Sequence, residues 1–203
     1  MTPNRRTLGA LAAALIWSAA APAFAQLPAV TAQDRVLGRA DAPVTVIEYA
    51  SFSCNHCAAW HNDVYPAFKA RFVDTGQVRY VFRNLPTQPE QMSLSGAALA
   101  RCAVPEKFFD VASALMHNQR AVLEGGLLQD WYAPAIAASG RSRDQIQTCA
   151  ASPETQAAIN ADIQGAVAAG VNSTPSFFVN GKPVTDRSLA GLETAIRAAR
   201  AGG

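Results

Sequence analysis

Val44-Thr45-Val46-Ile47-Glu48-Tyr49-Ala50-Ser51-Phe52-Ser53-Cys54-Asn55-His56-Cys57 is the stretch on which the reading of this 203-residue chain turns. Its first six residues are β-rich and mostly apolar and follow the turn-forming Asp41-Ala42-Pro43, which predicts a buried strand. Ser51-Phe52-Ser53 then leads into two cysteines separated by two residues. From Asn55 to about Val73 the apolar positions Ala58, Val64, Phe68 and Phe72 recur at helical intervals, with Thr75-Gly76 as the stop and Pro66 expected to kink the helix. A cysteine placed where a buried strand feeds a helix meets the free amide groups and partial positive charge of the helix end, which favour a thiolate over a thiol. Cys54 holds that place. Cys57, one turn further in, is near enough to close a small disulfide ring and is shielded by the helix and its packing. Cys54 is therefore expected to be the sulfur that attacks or is attacked, and Cys57 the resolving one. His56, between them, can stabilise the Cys54 anion when protonated or as a hydrogen-bond donor. A lowering of the Cys54 pKa by about three units would favour the dithiol by about 4 kcal/mol, roughly 90 mV toward oxidising power.

Outward from this stretch, Val78-Arg79-Tyr80-Val81-Phe82-Arg83 reads as a second strand ended by Asn84-Leu85-Pro86. From about Pro89 to Ala169 the chain is Ala-rich and helical in pattern, broken at Val104-Pro105, Glu124-Gly125-Gly126, Ser139-Gly140 and Ser152-Pro153, which predicts four or five short helices. Ser176-Phe177-Phe178-Val179 is a third strand, Asn180-Gly181 a two-residue hairpin signal, and Lys182-Pro183-Val184 the start of a return strand, before a closing helix from about Ser188 to Arg200. Neither repeats nor a low-complexity linker interrupts the order. The fold class is α/β, divided into 26–88 with the cysteine pair, a helical insertion over 89–169, and a closing part over 170–203.

Arg5 and Arg6 precede an apolar run from Leu8 to Ala21, and Ala23-Phe24-Ala25 offers small residues around a cleavage point, so residues 1–25 read as a signal peptide. The run is short and Ala-rich for a membrane span. The paired arginines fit a twin-arginine signal only loosely, so general secretion is the default reading. Removing the two arginines from the formal charge of +2 leaves the remainder neutral, which offers nothing to a nucleic acid. About 178 residues suffice for a single domain with a core.

All four cysteines follow the cleavage point, where disulfides form and persist. As half of a zinc site, Cys54 and Cys57 would need a second close pair, and only His56 and His61 stand nearby, so no metal is expected. A purely structural bridge between them would constrain the unfolded chain little. Cys102 and Cys149, both in the helical block, are left to pair with each other or to stand as separate thiols with a regulatory or relay role. A bridge would close a loop of about 48 residues, worth roughly 4 kcal/mol in the chain-entropy model. His61 and His117 occupy no spacing that demands a function and are read as surface or helix-packing residues. Phe108, Phe109, Leu115, Met116, Leu127, Leu128 and Trp131 suffice for an insertion core.

Residues 48–57, followed much later by Gly170-Val171-Asn172-Ser173-Thr174-Pro175-Ser176-Phe177-Phe178-Val179-Asn180-Gly181, resemble the DsbA family of periplasmic disulfide oxidoreductases, in its alphaproteobacterial-type branch. The two motifs stand in the family's order with a helical insertion of about its size between them. The resemblance implies a thioredoxin fold with an inserted helical subdomain and no cofactor beyond the Cys54–Cys57 disulfide. Isomerases of this general class usually carry an added dimerisation segment, and only about 18 residues separate Gln26 from the first strand, which favours a monomeric oxidase. It implies reduced or unfolded exported proteins as substrates and a DsbB-type membrane partner as reoxidant. It also implies that Thr174 and Pro175 form a loop facing the disulfide, with a cis peptide bond before Pro175. Such a proline supplies no donor of its own and leaves neighbouring backbone groups free for an extended substrate. The alternative is an ordinary trans proline at a strand's first residue. Glu48 resembles the family's buried acid beneath the active site, assisting proton transfer at Cys57, against the alternative of a solvated carboxylate; whether Arg79 or Arg83 partners it is open. The related branch also carries a second disulfide, which favours the Cys102–Cys149 bridge. Two other functions remain open: an isomerase or reductase kept reduced by a partner, and a non-enzymatic chaperone or binding module on the same scaffold.

Overall fold

The computed structural model describes residues 27–202; the leader read over 1–25 lies outside them. Five strands form one sheet in the order β1-β3-β2-β4-β5. Here β1 is Arg35–Leu37, β2 Val44–Ala50, β3 Val78–Asn84, β4 Ser176–Val179 and β5 Lys182–Val184. β2 and β3 run parallel, with Glu48 opposite Phe82, and every other pairing is antiparallel. β1 is the element missed in the sequence. Three residues are too short to show an alternation, and this strand exists because the exposed edge of β3 pairs with it.

α1 (Asn55–Asp63) follows β2, but the single kinked helix expected over residues 55–73 is divided. α1 ends at Asp63, α2 (Tyr65–Phe68) restarts with Pro66 in its first turn, and a π-helical turn (Lys69–Val73) completes the segment. A proline near a helix start costs no intrahelical bond, so the chain places it there rather than bending around it. Between β3 and β4 come α3 (Glu90–Arg101), α4 (Phe108–Leu123), α5 (Leu128–Ala138), α6 (Arg143–Ala150) and α7 (Pro153–Ala168). These are five helices, separated at the predicted breaks. Ser142 caps α6 in a reciprocal arrangement with Gln145, and Ser152 caps α7 just before Pro153. α8 (Leu189–Ala201) closes the chain. At the hairpin Asn180 and Gly181 both take positive φ, as a tight two-residue turn requires, and the Asn180 side chain accepts from the Thr45 amide at 2.8 Å, tying the hairpin to β2.

Strand periodicity sorts β2 between two cores. Val44, Val46 and Ala50 enter the larger one, with Phe52, Trp60, Tyr80, Phe82, Phe108, Leu115 and Trp131, while Ile47 and Tyr49 face the smaller one with Val81 and Ala166 of α7. Glu48, in step with Val46 and Ala50, is thereby directed into the larger core, the one that contains Cys57. The helical insertion contributes to that same core rather than building one of its own. Cys102, just after α3, is disulfide-bonded to Cys149 in α6.

Candidate active site

Cys54 is the N-cap of α1: its backbone is extended and its Sγ accepts the Cys57 amide at 3.3 Å. A sulfur in the cap position takes a hydrogen bond that an N-cap side-chain oxygen would otherwise take, and it does so best as an anion. The loop that presents it is fixed from both sides. Gln119 of α4, fully buried, donates from Nε2 to the carbonyls of Phe52 and Cys54 at 2.8 and 3.0 Å. Beneath the same loop Ser51 Oγ lies 2.7 Å from Ser93 Oγ and accepts the Thr87 amide at 3.2 Å, and Ser53 donates to the Thr87 carbonyl at 2.9 Å.

From the far end of the chain, the Thr174–Pro175 peptide bond is cis, and the Thr174 carbonyl accepts from the Cys54 thiol at 3.4 Å. The structure thus brings Cys54, Cys57, Thr174 and Pro175 together across 120 residues of sequence. Free and only partly exposed, Cys54 has its pKa lowered to about 5. The largest cause is a hydrogen bond from the Cys57 side chain, opposed by desolvation and reinforced by the otherwise unpartnered Thr174 hydroxyl and the backbone amides of Cys57 and His56. Cys57 moves the other way: burial pushes its thiol far up, and the hydrogen bond to Cys54 and the charge of Glu48 add to this. Two chemically identical thiols are made opposites by one turn of helix.

His56 contributes differently from expectation. Its imidazole is exposed and makes no hydrogen bond to the sulfur, so its support for the anion comes through the main-chain N–H. Glu48 is fully buried, which removes the solvated-carboxylate alternative. Its Oε2 accepts from the Tyr80 hydroxyl and lies 3.1 Å from His61 Nε2. Neither arginine considered for it is its partner. Arg83 is instead bound to Asp34 at 2.7 Å, to the Tyr49 hydroxyl and to the carbonyls of Pro28 and Ala29, holding the N-terminal segment on the sheet. His61, read from sequence as a surface or helix-packing residue, is buried with its Nε2 against Glu48 Oε2, whereas His117 is exposed.

Both residues that sequence reasoning missed carried a signal. Gln119 stands four residues after Leu115 and three after Met116, a polar side chain on the buried face of an apolar helix; His61 stands one turn after Cys57 on the buried face of α1. Among the described residues no group of three or more His, Cys, Asp or Glu side chains is arranged to hold a metal ion.

Set beside known proteins, the chain is 29% identical over 165 residues to a provisionally named protein-disulfide oxidoreductase of Rickettsia typhi, a match covering 80% of this chain and 60% of that protein. It therefore spans about 60% of the length of that curated relative. Disulfide bond formation protein D of Bacillus subtilis is 27% identical over 73% of this chain and 68% of its own length. Among solved structures, Wolbachia pipientis alpha-DsbA1 superposes with a TM-score of 0.74 at 25% identity, over 87% of this chain and 94% of that one. Oxidised BdbD from Bacillus subtilis superposes at 0.78 with 21% identity, over 88% and 98%, which speaks for the fold alone. A family model described as thioredoxin matches residues 30–198, a span that holds the cysteine pair, the helices of the insertion and the cis-proline loop, and the chain belongs to that family.

Proposed function

We propose that this chain is a DsbA-type thiol:disulfide oxidoreductase, exported to the periplasm, which donates its Cys54–Cys57 disulfide to reduced exported proteins. The observation that carries the reading is the inequality of the two sulfurs: Cys54 caps a helix with a pKa near 5, while Cys57 is buried with its pKa raised. Each unit by which the exposed sulfur is acidified below its ordinary value, down to the working pH, favours the dithiol over the disulfide by about 1.4 kcal/mol, or about 30 mV. A pair so biased gives its disulfide away.

In the reaction a substrate thiolate attacks Cys54 Sγ, the Cys54–Cys57 bond breaks, and its electron pair leaves on Cys57, which takes up a proton. A second substrate thiolate then attacks the substrate sulfur of the mixed disulfide and releases Cys54 as a stable anion. The Thr174 carbonyl, beside the reacting sulfur, is placed to pair with the backbone of an extended substrate. A DsbB-type membrane partner returns the enzyme to the disulfide form, the working unit is a monomer, and the redox-active disulfide is the only redox group needed.

The test is the equilibrium of the Cys54 and Cys57 pair against glutathione. A potential well above that of thioredoxin, about −270 mV, supports donation, and one near it points to a reductase or isomerase. Cys54→Ser separates the enzyme from a chaperone on the same scaffold: thiol oxidation is lost, and a holding activity would survive.

A further inference from the structure

Breaking the Cys54–Cys57 bond leaves a basic sulfur inside the larger core, and the proton that neutralises it has to reach a site closed to water. His61 lies one turn beyond Cys57 on the same buried face of α1, and its Nε2 reaches the fully buried Glu48 of β2. Glu48 Oε2 is held by His61 Nε2 and the Tyr80 hydroxyl, and Oε1 is buried with no hydrogen-bond partner. His61 Nδ1 is likewise buried and unpartnered. His61 also belongs to the wall of a cleft of about 490 Å3 between α1, α2 and α4, together with Tyr65, Lys69, His117 and Asn118, with its side chain nearly closed to solvent beneath that wall. His61 is thus the titratable residue among the described ones that both hydrogen-bonds Glu48 and borders this cleft.

We propose that His61 is a positioning residue that relays protons between this cleft and Glu48, and through Glu48 to the sulfur of Cys57. The inference rests on the oxidoreductase reading above. When the substrate thiolate displaces Cys57, the proton on His61 Nε2 passes to the Glu48 carboxylate at Oε2 and from Glu48 on to the departing thiolate. His61 then regains a proton at Nδ1 from solvent arriving by way of the cleft, so that imidazole, carboxylate and thiol together gain one proton and the electron pair of the broken S–S bond rests on Cys57. In reoxidation the same steps run backward. The ionisable groups that face the imidazole are Glu48 from β2, Tyr80 from β3 through the shared Oε2, Tyr65 from α2 with its ring 4.9 Å away, and Cys57 on α1 itself; His117 of α4 and Lys69 of the π turn border the cleft.

Oxidised wild type, His61→Gln and His61→Ala are mixed with dithiothreitol and the opening of the disulfide is followed by rapid quenching and thiol trapping across pH. Glutamine keeps a donor for Glu48 but cannot pass a proton through itself. Expected is a loss of about tenfold in the His61→Gln rate near pH 6 that vanishes toward about pH 9, with the Cys54 thiolate titration unmoved. Added imidazole is expected to restore the His61→Ala rate through the cleft. A wild-type-to-variant ratio that is the same at every pH, or an absence of rescue, overturns the relay and leaves the oxidoreductase reading standing. Failure of wild type to exchange at all overturns both. Should neither variant fold, nuclear magnetic resonance titration of His61 in the wild type decides: midpoints that differ between oxidised and reduced forms support the relay, and identical curves overturn it.

Discussion

At the residue scale the chemistry depends on how many donors converge on one sulfur. Cys54 receives the Cys57 amide because it caps α1, and it gains the Cys57 side chain because residues three apart share a helix face. Removing the largest contributor gives a direct check. In the reduced protein, thiolate absorbance is expected to titrate with a midpoint near 5, and in Cys57→Ala the midpoint rises by about one unit or more. That Cys54 would be the acidic sulfur was legible in the sequence, since strand-then-cysteine-then-helix implies a cap. That the backbone of His56, rather than its ring, supplies the help was not, because the direction of an exposed side chain is set by neighbours the chain does not specify locally.

Between elements, the active-site loop is held by α4, which enters from the insertion. Gln119→Leu leaves the carbonyls of Phe52 and Cys54 buried without their donor. A loss of about 3 kcal/mol in urea unfolding is expected, together with slower thiol exchange as the loop loosens. A polar residue on the apolar face of α4 was visible in the sequence, but its targets, 65 and 67 residues away, were not. The Cys102–Cys149 bridge ties the end of α3 to α6 across a separation of 47 residues. Replacing both cysteines by Ala is expected to lower stability by up to about 4 kcal/mol, measured by denaturant midpoint, without moving the Cys54 titration. The breaks between helices were readable because Gly, Pro and Ser act locally; the division of residues 55–73 at Asp63 was not, because Pro66 permits either a kink or a fresh start and packing chooses.

For the whole molecule, redox state and stability are one linkage. Cys54 is acidified on folding of the reduced protein, so its contribution is fully present above the ordinary thiol range, diminishes as pH falls, and is gone below about 5. At pH 7 the reduced form is therefore expected to exceed the oxidised form in stability by about 2 kcal/mol from this group, once solvent screening at a partly exposed sulfur is allowed for. Thermal unfolding of both forms at pH 7 and near pH 5 checks this: the gap narrows in acid. Sequence alone determined what is local in cause: alternation made β2 and β3 strands, turn residues bounded the helices and the Asn180-Gly181 hairpin, and the spacing of Cys54 and Cys57 placed both at the start of one helix. Tertiary structure alone decided what depends on elements distant in the chain meeting. It added the edge strand β1, set the Thr174 carbonyl against Cys54, sent Arg83 to Asp34, and gave Glu48 to His61. A buried polar or charged group takes whichever partner the packing brings within reach, and no stretch of sequence records that distance.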